Sequence, residues 1–196
     1  MSRTQTINRE VFTFAELSDT AKTKALADYA QTLDYDWWGF VIDDAKECAS
    51  IIGIEIEKVF FSGFCSQGDG ASFTGSYAYK KGSVKAIKVH APLDTELHYI
   101  ALQLQREQCK SFYKIKTSIS QHGRYYHEQT MHFDHDHVDR YLVDSDVDDI
   151  EEALKDFARW IYKRLENEWD YMTSLEAFAE TCECNEWEFT VNGKLV

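Results

Sequence analysis

The residues best suited to chemistry lie in a polar, glycine-rich stretch that runs from Ser62 to Phe73. Gly68 and Gly70 permit positive φ angles or the close approach of another backbone, and successive amides in such a loop can form a nest that binds an anion. The stretch lacks the lysine and the following helix of a P-loop. It therefore indicates either a pocket for a small ligand such as a nucleotide or a tight connection between two strands, in which Gln67 and Asp69 bond their own loop backbone. The residues predicted to contact a ligand are Ser66, Gln67, Asp69, Ser72 and His127.

His127 is the residue near this loop whose side chain can transfer a proton or bind a ligand close to neutral pH. It follows Tyr125 and Tyr126 on the second strand of a predicted hairpin, with strands over residues 112–120 and 124–135 and a turn at 121–123. The alternative is a half-buried histidine that bonds a backbone carbonyl. The sequence shows no catalytic partner for it, so both interpretations stay open.

One cluster, from His132 to His137, has residue types that suit a metal ion. On a strand His135 and His137 share one face, and the other polar residues of the cluster share the opposite face. Two such neighbours can ligate Zn²⁺, but a closed site needs two more ligands, which Cys182 and Cys184 supply only if the fold brings them close. The spacing matches no standard site, so no metal is predicted and a solvated strand end is the alternative.

Carboxylates surround the start of a long predicted helix, where the helix dipole favours negative charge. A calcium-binding loop beginning at Asp144 would need a glycine and a glutamate where the chain has Asp149 and Lys155. The stretch from Asp134 to Asp156 is instead the most acidic part of the chain, and we expect it to face a protein partner. The residues predicted to do so are Asp144, Asp146, Asp148, Asp149, Glu151 and Glu152.

The elements that position these residues are helices at both ends of the chain and strands between them. Apolar residues spaced by three or four predict the helices, and β-branched and aromatic runs bounded by glycines predict the strands. Ser18-Asp19 is the predicted N-cap of the first helix, and Gly53 is predicted to end the second. The predicted helices cover about residues 21–33, 35–52, 94–110, 150–172 and 174–184, and the strands, besides the hairpin, cover about 54–61, 73–79, 84–89 and 187–191. This order predicts an α+β fold, with an antiparallel sheet in the middle of the chain packed with N-terminal and C-terminal helices in a single domain of residues 1–196.

Composition limits the possible partners. The chain has 21 basic and 34 acidic residues and a formal net charge of −13, which repels nucleic acid and anionic membranes. The five cysteines form no disulfide framework, and the N-terminal residues lack the apolar core of a signal peptide, so reduced thiols in a cytosol are expected.

No Ser-His-Asp order, nucleophile elbow or metalloprotease helix is visible. The sequence therefore favours a binding protein over an enzyme, with no catalytic residue and no cofactor predicted.

Three segments resemble a group of small phage and prophage proteins. Phe12–Lys22 is similar to a "fdELsdeAKekA" helix start, Val59–Phe73 closely resembles a "fSGFssQGDGAsF" signature, and Gly123–Glu128 resembles a later "Y-x-H" element. Some members of this group are labelled as antitoxins of toxin–antitoxin stability systems. The resemblance, over roughly residues 10–130, implies a phage-encoded accessory protein that works in the bacterial cytoplasm.

The negative charge, the missing catalytic signature and the resemblance together favour an acidic accessory protein. We expect it to bind and inhibit a host protein, such as a toxin, a nuclease or another defence component. The alternative is a protein that sequesters or hydrolyses a small ligand with the Ser66–Ser72 loop. A third interpretation is an assembly role in the virion, and the sequence gives no oligomeric state.

Overall fold

A computed structural model describes residues 9–33, 36–136 and 144–196, without the side chains of 144–146. These residues form six α-helices: α1 (Asp19–Ala30), α2 (Gly39–Ile52), α3 (Ser83–His90), α4 (Thr95–Lys110), α5 (Asp144–Met172) and α6 (Leu175–Cys184). They also form six strands: β1 (Phe12–Thr13), β2 (Ile54–Phe61), β3 (Ala71–Ala78), β4 (Lys116–Gln121), β5 (Met131–Asp136) and β6 (Glu188–Phe189). The α+β prediction is confirmed, because a four-stranded antiparallel sheet in the middle of the chain is accompanied by helices at both ends.

The chain divides into two compact units, a terminal unit of residues 1–37 and 167–196 and a central unit of residues 38–166. The prediction of a single domain stays a prediction, since compactness of a unit does not decide whether it folds alone. Among the described residues, no helix combines the length and the apolar character that crossing a bilayer requires.

The terminal unit joins the two ends of the chain. Strand β1 pairs antiparallel with β6, with Phe12 opposite Phe189. Its core is aromatic: the ring of Phe14 meets the ring of Phe178 edge-on, with centroids 5.0 Å apart. Ser18 caps α1 by accepting a hydrogen bond from the amide of Ala21, as its position before the helix predicts.

The central unit is built on the sheet β2-β3-β4-β5, in which every neighbouring pair is antiparallel. One face of the sheet is apolar and buried, and Phe73 and Tyr77 of β3 are the largest side chains on it. The ring of Phe73 packs edge-on against Phe157 of α5 at a centroid distance of 6.0 Å. The apolar residues of α5 that were spaced by three or four, among them Leu154 and Ile161, are fully buried, so the predicted long helix is confirmed.

Glycines fix two junctions of this unit. Gly53 ends α2 in the left-handed region, with φ 91°, which confirms the predicted helix end. Gly75, with φ 151°, lies at the irregularity in the β2–β3 register, where a Cβ atom would stand 1.9 Å from the carbonyl oxygen of Glu55. A side chain at position 75 is therefore excluded by sterics and not only by backbone preference.

One predicted strand is a helix, and the predicted hairpin is confirmed with shorter strands. Residues 84–89 form part of helix α3 and not a strand, because Ser83 and Ile87 are buried one helical turn apart, and this packing outweighs the strand preference of valine and isoleucine. The hairpin strands begin at Lys116 and Met131 rather than at residues 112 and 124. Glu128–Thr130 form a 3₁₀ turn first, and His127 is its N-cap instead of a strand residue.

Candidate functional site

The glycine-rich stretch is a closed turn between β2 and β3. The amide of Ser62 donates to the carbonyl of Gly70 across its base, at 3.1 Å. Inside it, one carboxylate oxygen of Asp69 accepts from the amides of Cys65 and Ser66, at 3.0 and 2.6 Å. These bonds, above all the one from Ser66, hold the pKa of the Asp69 carboxyl below its ordinary value of 3.8. Asp69 thus binds its own loop, which is what the strand-connection interpretation expects.

The structure places the five predicted ligand-binding residues in different surroundings. Ser66 and Gln67 are exposed near the tip of the turn, next to Asp69. Ser72 is fully buried in β3, and its hydroxyl has no hydrogen-bond partner among the described residues. His127 lies against Gly70, where an added Cβ would stand 3.0 Å from the imidazole Cδ2. The predicted proximity of His127 to the loop is therefore found on the Gly70 side, and ligand binding there stays a prediction.

His127 has local partners. Its Nδ1 accepts from the amide of Gln129 at 3.2 Å and lies 2.9 Å from a carboxylate oxygen of Glu128. An unprotonated Nδ1 uses the first contact and a protonated one uses the second. Both contacts stabilise the 3₁₀ turn that follows, so the imidazole has a structural role that the sequence did not show.

The histidine cluster on β5 is divided between two faces of the strand. His132 and Asp134 are exposed, whereas His135 points toward α5 with 9% of its side chain exposed. Its Nδ1 lies 2.9 Å from the hydroxyl of Thr117 and its Nε2 lies 3.1 Å from a carboxylate oxygen of Glu151. Both ring nitrogens of His135 therefore have partners within the chain. His137 lies outside the described residues.

The acidic start of α5 is only partly available to a partner. Asp148 and Asp149 are exposed, but Glu151 holds His135, and Glu152 accepts a hydrogen bond from Arg159. Asp144 and Asp146 belong to the first turn of the helix, and their side chains lie outside the described atoms. Lys110 also lies 3.8 Å from the Asp149 carboxylate. Three of the six predicted partner-binding residues are thus engaged in intramolecular contacts, and the role of the stretch in binding stays a prediction.

Negative charge is more concentrated in the terminal unit than in the central unit. Residues 1–37 and 167–196 carry 13 of the 34 acidic residues and only 5 of the 21 basic ones. On α6, Glu176, Glu180 and Glu183 are all exposed, and their spacing of four and three places them along one face. No ion pair was found among the described residues of this unit. This surface was not predicted from the sequence, although the glutamate spacing in α6 was a readable signal.

An aromatic cavity of about 280 Å³ opens within the same unit. Tyr29 stacks on Phe178 with ring centroids 4.7 Å apart, and Trp187 meets Tyr29 edge-on at 5.9 Å. The exposed residue Asp28 also lines the cavity. Because its walls come from α1, α6 and the C-terminal segment, no local stretch of sequence indicates it.

Another group of polar residues lies between α2 and α3 in the central unit. The ligand atoms of Asp44, Cys48 and His90 all lie within 4.8 Å of one another, beside a cavity of about 270 Å³. The Arg164 guanidinium contacts Asp44 at 2.9 Å. Burial raises the pKa of the Cys48 thiol to about 11, and the negative charge of Asp44 adds to the shift. The spacing of Asp44 and Cys48 by one helical turn was visible in the sequence, but the position of His90 was not.

Comparisons with known proteins identify one family. No curated protein matches the chain. No solved structure matches it either. A family model does match, over residues 37–175, which include the glycine-rich turn, the whole sheet and the group around Cys48. The chain therefore belongs to the family described as the domain of unknown function DUF8835.

Proposed function

We propose that this chain is a phage-encoded acidic accessory protein of the bacterial cytoplasm that binds and inhibits a host protein carrying a basic surface. Candidate targets are a toxin, a nuclease or another defence component. The observation that carries the proposal is the surface of the terminal unit, where carboxylates are numerous and none is ion-paired among the described residues. A surface of one sign attracts a partner of the opposite sign and speeds its association.

The position of the glutamates on α6 supports a role in binding. Glu183 lies in the last turn, where the helix dipole disfavours negative charge, and no basic residue stands there. Glu180 precedes it by three residues, so the two carboxylates also repel each other. An arrangement that destabilises the helix is expected where a residue serves a partner rather than the fold.

The aromatic cavity gives this surface a point of attachment. Rings of Tyr29 and Trp187 beside the carboxylate of Asp28 suit the side chain of a lysine or arginine, since an aromatic face attracts a cation and the carboxylate pairs with it. Aromatic pockets near the centre of an interface commonly supply much of its binding energy. We therefore place the inserted basic residue of the partner in this cavity.

The test begins with capture from nuclease-treated bacterial lysate on the immobilised chain. The captured protein is then purified, and its affinity and its own activity are measured with the chain present. We expect one-to-one, salt-sensitive binding that inhibits the target. The triple variant Glu176→Gln, Glu180→Gln, Glu183→Gln should weaken binding by about tenfold or more, because rim charges contribute to the association rate.

The matched control is Asp148→Asn, Asp149→Asn, which removes exposed carboxylates from α5 instead. A loss of affinity confined to this control would move the interface to the acidic start of α5. Equal affinity of the wild type and both variants, with unchanged melting temperatures, would contradict the acidic-inhibitor proposal.

A further inference from the structure

Helices α2 and α3 bring together three side chains of different chemistry, each of which can ligate a metal ion. Asp44 and Cys48 stand one turn apart on the same face of α2, and His90 is the last residue of α3. A carboxylate oxygen, a thiol sulfur and an imidazole nitrogen are the three donor types that Zn²⁺ accepts in proteins. All three donor atoms lie within 4.8 Å of one another.

The spacing is close to that of a bound ion. Bond lengths of 2.0–2.3 Å and tetrahedral angles put neighbouring zinc ligands roughly 3.3–3.8 Å apart, so closure requires the donor atoms to move by about 1 Å. The side chains of His90, 30% exposed, and Asp44, 43% exposed, can change rotamer by giving up surface contacts, whereas Cys48 is fixed in the core. The buried cysteine therefore sets the position of the ion.

We propose that Asp44, Cys48 and His90 form a binding site for Zn²⁺, with three protein ligands and a fourth position open to the adjoining cavity. That cavity, of about 270 Å³, is also lined by Trp160 and Arg164. A water molecule or a small anion can occupy the open position, and the Arg164 guanidinium would favour the anion. The site lies wholly in the central unit and does not depend on the proposed inhibitor function.

Zinc binding is coupled to the loss of a proton from the site. The Cys48 thiol must lose its proton to solvent as the sulfur–zinc bond forms, so affinity is expected to rise with pH. Burial keeps the pKa of this thiol at about 11 in the free protein, and a nearby dication stabilises the thiolate. Arg164 opposes the ion, because its positive charge is 2.9 Å from one Asp44 oxygen. Asp94, whose carboxylate lies 4.0 Å from another nitrogen of Arg164, offers that guanidinium a second partner.

The site is tested on the full chain after treatment with a chelator, by titration with Co²⁺ and then with Zn²⁺. Cobalt bound to a thiolate gives an intense charge-transfer absorption, which reports sulfur ligation directly. We expect one Co²⁺ per chain, a thiolate band that Zn²⁺ abolishes by displacement, and a higher melting temperature with either ion. Cys48→Ser should remove the band, and Cys65→Ser, which alters an exposed cysteine, should keep it.

Two further variants guard against a failure of Cys48→Ser to fold. His90→Ala, at a partly exposed position, should weaken cobalt binding by about tenfold or more, because loss of even an outer hydrogen-bonding partner of a ligand costs about that much. Arg164→Gln should tighten it by about tenfold, because a competing cation is removed. Absence of any cobalt binding, or a thiolate band and affinity that are the same in the wild type, Cys48→Ser and His90→Ala, would overturn the proposal.

Discussion

At the scale of single residues, local contacts account for part of the glycine-rich turn. Asp69 closes the turn through the amides of Cys65 and Ser66. Gly70 leaves the space that the ring of His127 fills. These contacts explain an aspartate and a glycine of the motif without any ligand. The exposed Gln67 and the buried, unpartnered hydroxyl of Ser72 are not explained in this way.

Asp69 makes the order of this turn dependent on pH. Its pKa is lower in the fold than its ordinary value of 3.8, so the fold favours the ionised form. The contribution is fully present above the unfolded pKa and is lost as the pH falls through the lower, folded pKa. We expect the Ser66 amide to exchange several-fold faster in Asp69→Ala than in the wild type at neutral pH, measured by hydrogen exchange with NMR detection.

Asp69→Asn keeps an acceptor without the charge, so its protection should fall between those of the wild type and Asp69→Ala. The wild type at a pH below its folded pKa should approach the asparagine variant, and Gln67→Ala should leave the Ser66 amide unchanged. Equal exchange in the wild type and Asp69→Ala would show that the carboxylate does not hold the turn.

At the scale of elements, local signals predicted the helices well. Ser18 and Gly53 mark helix ends because capping depends on a few neighbouring residues. Helix α3 was missed because its valines and isoleucine favour strands, and only contact with the rest of the unit decides its conformation. The group around Cys48 likewise combines a local signal with a contact that only the fold decides. Asp44 and Cys48 share one helix face by spacing alone, but His90 reaches them only through the packing of α2 and α3.

Helix α6 allows a prediction about stability in which two like substitutions have different effects. Glu183→Lys places a cation in the last turn and next to Glu180, where the helix dipole and the ion pair both favour it. We expect the free energy of unfolding to rise by about 0.5–1 kcal/mol. Glu176→Lys gains a similar pair with Glu180 but stands in the first turn, where the dipole disfavours a cation, so its free energy of unfolding should lie about 0.5–1 kcal/mol below that of Glu183→Lys. Denaturation in urea measures both.

Both α6 substitutions change the net charge equally, so the pair separates the dipole from general repulsion. If Glu176→Lys and Glu183→Lys shifted the stability by the same amount, the helix dipole would have no part in it and charge repulsion would be the cause. Under the proposed function both variants should weaken partner binding, whatever they do to stability. A stabilised variant that binds less well would identify Glu183 as a residue retained for its partner.

At the scale of the whole molecule, the charge is unevenly placed. The net charge is −13, and the terminal unit, with 13 acidic and 5 basic residues, contributes most of it. In the central unit, cations meet carboxylates: Arg159 donates to Glu128, Glu152 and Asp156. Salt therefore acts on the two units in opposite directions, since it screens the repulsion in one and the ion pairs in the other.

Repulsion should dominate, because exposed ion pairs contribute little to stability whereas the excess of carboxylates is large. Raising sodium chloride from about 0.05 M to about 0.5 M, which shortens the screening length severalfold, should raise the melting temperature by about 2–4 °C, or about 1 kcal/mol. The Glu176→Gln, Glu180→Gln, Glu183→Gln variant should show a smaller rise, and Asp148→Asn, Asp149→Asn provides the comparison in the central unit. Chloride is used because sulfate stabilises proteins by exclusion from their surface. A melting temperature that falls with salt would mean that the ion pairs around Arg159 outweigh the repulsion. The carboxylates of the terminal unit would then not form the strongly repulsive surface on which the proposed function rests.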